Sequence, residues 1–217
     1  MNSDRLGAIP VVAGPLLLLA GILWHPFIPD LRDNSDVVHH LQQDTTSWFG
    51  AHFLVAVGTA VVLLGFLAVR AHVRTTVGRE PWTARALPPL VVGSILFVML
   101  PAMEIAMLAV EKVGGDLLAT QNALDTWFKP ILLAGSVIFG IGTILFAAGV
   151  HRANILPRGA SLVVLVAFVV AAVSRVPFTL ALMVGIVALN IAMLPLAATM
   201  WRAGGAYAGR TAAAGHV

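Results

Sequence analysis

The chain has no cysteine. Disulfides, thiolate metal sites and thiol redox chemistry are therefore excluded, and the redox compartment is left undetermined. Charge is scarce as well. Asp, Glu, Lys and Arg make up 11% of the residues, where a soluble domain carries about 25%. A surface so poor in charge faces something other than water. Signature motifs of enzymes are also missing. No phosphate-binding glycine loop, nucleophile elbow or metalloprotease helix occurs, which removes support for most enzyme classes. The basic balance, 13 Lys and Arg against 10 Asp and Glu, rests on arginines that read as topology signals rather than as a nucleic-acid interface.

What the chain has in abundance is apolar sequence, 59% of all residues. A helix needs ~20 apolar residues to cross the hydrocarbon, with ~17 as a lower limit. The sequence predicts an all-α, polytopic membrane bundle of about six spans: Leu6–Phe27, Phe49–Val69, Leu87–Ala109, Pro130–Val150, Ala160–Ser174 and Pro177–Trp201. The fifth is short by this measure. The first is too long for a secretory signal, and Trp24-His25-Pro26 follows it instead of a cleavage site, so it reads as a retained span. Residues 1–202 form one transmembrane domain on this reading. The Gly- and Ala-rich residues 203–217, with His216, form a disordered cytoplasmic tail.

Lys and Arg orient the bundle. Arg5, Arg70, Arg74, Arg79, Arg85, Arg152, Arg158, Arg202 and Arg210 fall on one side, and Arg32, Lys112, Lys129 and Arg175 on the other. The asymmetry alternates with every span and places both termini in the cytoplasm. The expected setting is a bacterial plasma or inner membrane. The lipid bilayer is the expected partner, with another membrane subunit or a second copy of the chain as further candidates and nucleic acid excluded.

The stretch Trp24–His52 then lies at the outer mouth. It carries His25, His39, His40 and His52, four of the seven histidines, and Asp30, Asp33, Asp36 and Asp44 against Arg32 alone. Glu104, in VMLPAMEIAMLAV, is the acidic residue deepest within a span, and an ionisable group at such a depth is a functional candidate by default. Its structural reading is an ion pair with Arg175 or Lys129. His25, His52 and Glu104 share a depth, and Pro101 lies just before Glu104. The expectation is one polar pocket under a roof of residues 30–47, with the roof attracting cations. Two imidazoles and a carboxylate suit a divalent metal ion such as zinc, copper or iron, and two histidines alone suit axial ligation of haem b. The alternative reading is of amphipathic boundary residues. His39 and His40 are secondary candidates, although adjacent helical residues face different ways. Met99, Met103 and Met107 share a helix face and read as core. Asn190 needs a partner across helices. Ser136 and Gly140 have the spacing of a close helix contact. His72 and His151 read as boundary contacts on the inner side.

The two outer loops look alike. Asp36-Val37-Val38 precedes Trp48-Phe49, and Asp116-Leu117-Leu118 precedes Trp127-Phe128. This pattern fits either a repeated hairpin unit or two interfacial helices ended by tryptophan. His25-Pro26 followed by Trp48 and His52 resembles a group of multi-pass membrane proteins common in actinobacteria. The resemblance covers the first third of the chain. It implies a fold class and no mechanism. Two functional classes stand beside a non-catalytic accessory subunit. One is a metal- or haem-binding protein built on His25, His52 and Glu104. The other is a small proton-coupled transporter or carrier in which Glu104 titrates and Asn190 lines the path.

Overall fold

Glycine recurs every seventh residue in two parts of the chain, at Gly7, Gly14 and Gly21 and at Gly135, Gly142 and Gly149. Seven residues make nearly two helical turns, so each set lies along one face. The computed structural model describes residues 3–28, 33–174 and 179–214, with side chains to residue 205. In it both glycine sets are helix–helix seams.

The helices are α1 (Ser3–Trp24), α2 (Asn34–Gln43), α3 (Thr45–Val77), α4 (Pro81–Lys112), α5 (Leu117–Ala153), α6 (Arg158–Val173) and α7 (Thr179–Ala214). No strand occurs among the described residues. Four helices begin on an acidic cap. Asp33 accepts from the N–H groups of Ser35 and Asp36, Asp44 from those of Thr46 and Ser47, Glu80 from those of Trp82 and Thr83, and Asp116 from that of Ala119. Each carboxylate satisfies donors that the first helical turn leaves unpaired.

α1 packs on α3 and α4 on α5, each as an antiparallel pair. A Cβ added to Gly14 would lie 2.6 Å from the Val62 backbone nitrogen, and one added to Gly142 would lie 2.8 Å from that of Leu90. Only hydrogen fits at these points, so the backbones themselves are in contact, the mode in which apolar helices associate within lipid. α3 meets α4, α5 meets α6, α6 meets α7, and α7 returns to α1. The six long elements thus close a ring. Its centre is filled by Phe66, Phe139, Phe146 and Phe168, all buried, with the Phe66 ring 4.8 Å from Phe146 and 5.8 Å from Phe168. Asn190 secures the closure, donating from Nδ2 to the Pro15 carbonyl across the α7–α1 contact at 3.1 Å.

Five helices are long and apolar enough to cross a membrane: α1, α3, α4, α5 and the described part of α7. α6, with 16 residues, is about 24 Å long at the ~1.5 Å rise per residue. Large apolar side chains cover the outside of the ring; Leu133 is 68% exposed and Leu180 65%. Water does not tolerate a continuous apolar surface of this kind, whereas lipid requires it. The molecule is an all-helical membrane bundle.

Several sequence expectations change in detail. The close contact on α5 runs through Gly135, Gly142 and Gly149 rather than Ser136 and Gly140; Gly140 faces Ala172 on α6 with ordinary spacing. The two outer loops diverge. Asp44 ends α2 and caps α3, so the first loop holds a separate helix, whereas α5 runs unbroken from Leu117 past Trp127. α7 continues through Ala-rich sequence to Ala214, as the high helix propensity of alanine favours. His216 lies outside the described residues. His72 is buried against Asp4 at 3.4 Å, and His151 meets the Ser161 hydroxyl at 2.9 Å. Both tie helices together at the arginine-rich end.

The seam makes a quantitative expectation. Gly14→Val forces backbone against backbone and should cost at least the ~1–3 kcal/mol typical of overpacking, measured by unfolding in mixed micelles. Gly140→Ala, with its Cβ 3.6 Å from the nearest atom, should be close to neutral. Equal tolerance of both substitutions would refute the seam.

Candidate functional site

The phenylalanine cluster fills the ring on the side where the arginines lie. A second apolar cluster, of Ile28, Val37, Val38, Leu41, Trp48, Met107 and Leu117, closes the opposite end beneath α2. Between them is a cavity of about 500 Å³. Its wall is largely apolar, from Leu18 and Ile22 on α1, Val55 and Val62 on α3, Phe97 and Leu100 on α4 and Leu132 and Phe139 on α5. His25, His52 and Glu104 all line it, as do Trp48, Asp125, Lys129 and Ser136.

Each polar group is held by its own helix end. His25 follows α1, and its Nδ1 lies 2.7 Å from the Pro26 carbonyl. His52 is about two turns into α3, and its Nδ1 lies 2.7 Å from the Trp48 carbonyl. A carbonyl oxygen can only accept, so Nδ1 carries the hydrogen in both rings. In the neutral form each Nε2 is then an acceptor, and neither Nε2 has a partner among the described residues. The two rings touch edge to face with centroids 4.9 Å apart, and Trp48 lies 4.5 Å from His52 and 5.2 Å from His25. Trp48 is buried and donates from its indole Nε1 to the Glu104 carbonyl at 3.2 Å, which fixes α3 against α4.

Glu104 faces the interior and is 7% exposed. Among the described residues its hydrogen-bond partner is neither a cation nor an imidazole. Gln121, on the outer turns of α5, donates from Nε2 to Glu104 Oε1 at 3.2 Å. Glu104 Oε2 and Gln121 Oε1 are both buried without a hydrogen-bond partner. A proton on Oε2 would, if shared with Gln121 Oε1, satisfy both atoms and make a reciprocal acid–amide pair. Gln121 was not among the sequence candidates, because its segment read as an interfacial loop. The available signal was spacing: Gln121 stands fourteen residues before Gly135 and so continues the face of the α5 glycine seam.

The remaining candidates lie elsewhere. Lys129 pairs with Asp125 at 2.5 Å, and Asp125 also accepts from Asn34 of α2 at 2.8 Å, so these residues dock the outer helix. Arg175 and Asp30 lie outside the described residues. His39 is exposed beside Gln43, and His40 lies 3.6 Å from Asp36; neither lines the cavity. Asn190 holds α7 to α1 and is not part of the cavity wall. Met99 is 43% exposed and Met107 is buried, so the methionines serve packing rather than a shared site. The acidic roof is partly consumed by capping. Asp33 and Asp44 face backbone N–H groups, and the Ser47 hydroxyl and N–H hold the Asp44 carboxyl below its ordinary range.

Among the described residues no group of three His, Asp or Glu side chains is placed to hold a metal ion. Glu104 is engaged by an amide, and the touching imidazole rings leave no gap for a macrocycle between them. No family model, curated protein or solved structure matches the chain. The site is therefore read from its own chemistry.

The acid–amide pair has a spectroscopic consequence. The wild-type protein at neutral pH should show the infrared C=O stretching band of a protonated carboxyl, and Glu104→Gln should remove it while the fold persists. Gln121→Leu strands the carboxyl and should destabilise by about 1–3 kcal/mol. A wild-type spectrum lacking the band would rule out the shared proton.

Proposed function

We propose that this protein binds a small amphiphile, apolar in body and polar at one end, in the outward half of a six-span bundle. The observation that carries the reading is the cavity itself. Ligand sites are concave, mostly apolar and furnished with a few convergent polar groups, and here His25, His52 and Glu104 are those groups. Leu133 and Lys129 belong both to the cavity wall and to the outer surface of the bundle, which favours a ligand drawn from the bilayer. The phenylalanine cluster closes the inner half, so the arrangement supports binding rather than a continuous conduit. Binding is also the first step of the carrier alternative, in which the Glu104 proton would be exchanged.

Solvent extraction and mass spectrometry of the purified protein test the proposal. One apolar molecule per chain is expected, and Leu100→Trp, which fills the cavity, should remove it. A protein that retains nothing, even after incubation with membrane extract, would end this reading.

The orientation belongs to the same proposal. α6 is counted as a short sixth span, both termini are cytoplasmic, and the cavity opens on the outer leaflet, because the arginines gather at the opposite end. Arg5 lies over the Trp201 ring at 5.5 Å, and Arg85 and Arg152 flank Trp82 at 5.6 and 5.9 Å, as cations and aromatics do at an interface. Single cysteines at Ser35, Thr76 and Gly204 should label from outside, inside and inside respectively. Labelling of Thr76 from outside would invert or break the topology.

A further inference from the structure

We propose that the cavity takes an uncharged amphiphile whose head is an aromatic hydroxyl, donated to one of the two unpartnered Nε2 atoms of the His25–His52 pair. The inference rests on the binding reading above and adds the chemistry of the ligand. Both imidazoles spend their N–H on backbone carbonyls, so each offers the cavity a lone pair and no proton. Glu104 Oε1 is already engaged by Gln121. A head that only accepts, such as a ketone or an ether, would leave the Nε2 atoms unsatisfied and lose its own hydration in the same step. A hydroxyl has one hydrogen to donate and satisfies one Nε2, where a ketone or an ether satisfies neither. The preference for an aromatic head follows from the wall around it: Trp48, His25 and His52 form a continuous aromatic surface with ring centroids 4.5–5.2 Å apart, and a further ring packs against such a surface in offset or edge-on contact. The preference for a neutral over a cationic head follows from the cost of burying an ammonium group beside Lys129, which also lines the cavity.

The test uses full-length protein in detergent, with empty micelles as the blank, and four compounds that share one apolar body: para-octylphenol, its methyl ether, octylbenzene and para-octylbenzylamine. The phenol should bind at least about tenfold more tightly than the ether and the hydrocarbon, the ratio that one hydrogen bond supports. Replacing both acceptors, His25→Phe together with His52→Phe, should abolish that preference while octylbenzene binding persists. Equal affinity of phenol, ether and hydrocarbon for the wild-type protein would overturn the acceptor assignment and leave the cavity reading intact. Tighter binding of the amine than of the phenol would overturn the neutral head. No binding of any of the four would remove the cavity reading itself, and this inference with it.

Discussion

Backbone-to-backbone contact at the glycine seams is the constraint on which the rest of the molecule depends. Inside lipid the hydrophobic effect does not drive helices together, so association relies on close packing and on internal hydrogen bonds. Gly14 against Val62 and Gly142 against Leu90 provide the first. The seven-residue period keeps the small residues on one face along the length of each pair. Two tight antiparallel pairs result, α1 with α3 and α4 with α5, and the ring closes when α6 and α7 span the gap between them.

A ring built this way has an interior to fill, and it is filled unevenly. At the arginine-rich end three phenylalanines, Phe139, Phe146 and Phe168, interlock around Phe66. Toward the other end the inward positions carry Val55, Thr59, Leu100 and Ser136, smaller side chains that do not meet across the ring. The void between the phenylalanines and the α2 roof is therefore a consequence of side-chain volume. The polar groups around it are satisfied locally wherever a carbonyl is within reach. His25 uses Pro26, His52 uses Trp48, Thr59 uses Val55 and Trp48 uses Glu104. What those bonds leave over, two imidazole lone pairs and an acid–amide pair, is the chemistry open to a ligand.

The roof shows how a charge count misleads when its geometry is unknown. Asp33, Asp36 and Asp44 look like an acidic surface in the sequence. In three dimensions Asp33 and Asp44 terminate and start helices, and Asp36 lies beside His40. The field over the cavity is weaker than composition suggests, because those carboxylates already face N–H dipoles. The capping also explains why the two similar outer loops differ. Asp44 stops one helix and begins another, while Asp125 at the comparable place is taken by Asn34 and Lys129 and leaves α5 continuous.

Hydropathy, chain length and the alternation of arginine are properties of each segment by itself. The sequence alone therefore determined an all-helical membrane protein, the approximate place of every long helix and the depth of His25, His52 and Glu104 near one end of their spans. It also marked Asn190 as needing a partner, since an amide in hydrocarbon must be satisfied wherever the helix lies. Which residue answers each of these groups depends on the rotation of one helix against another, and no single segment encodes that. Tertiary structure alone decided that Glu104 meets Gln121, and that the imidazoles turn their N–H groups to backbone carbonyls. It alone also brought the two histidine rings into contact. The physical reason is that the glycine seams set the helix rotations, and a polar side chain placed by a rotation takes the nearest complementary atom.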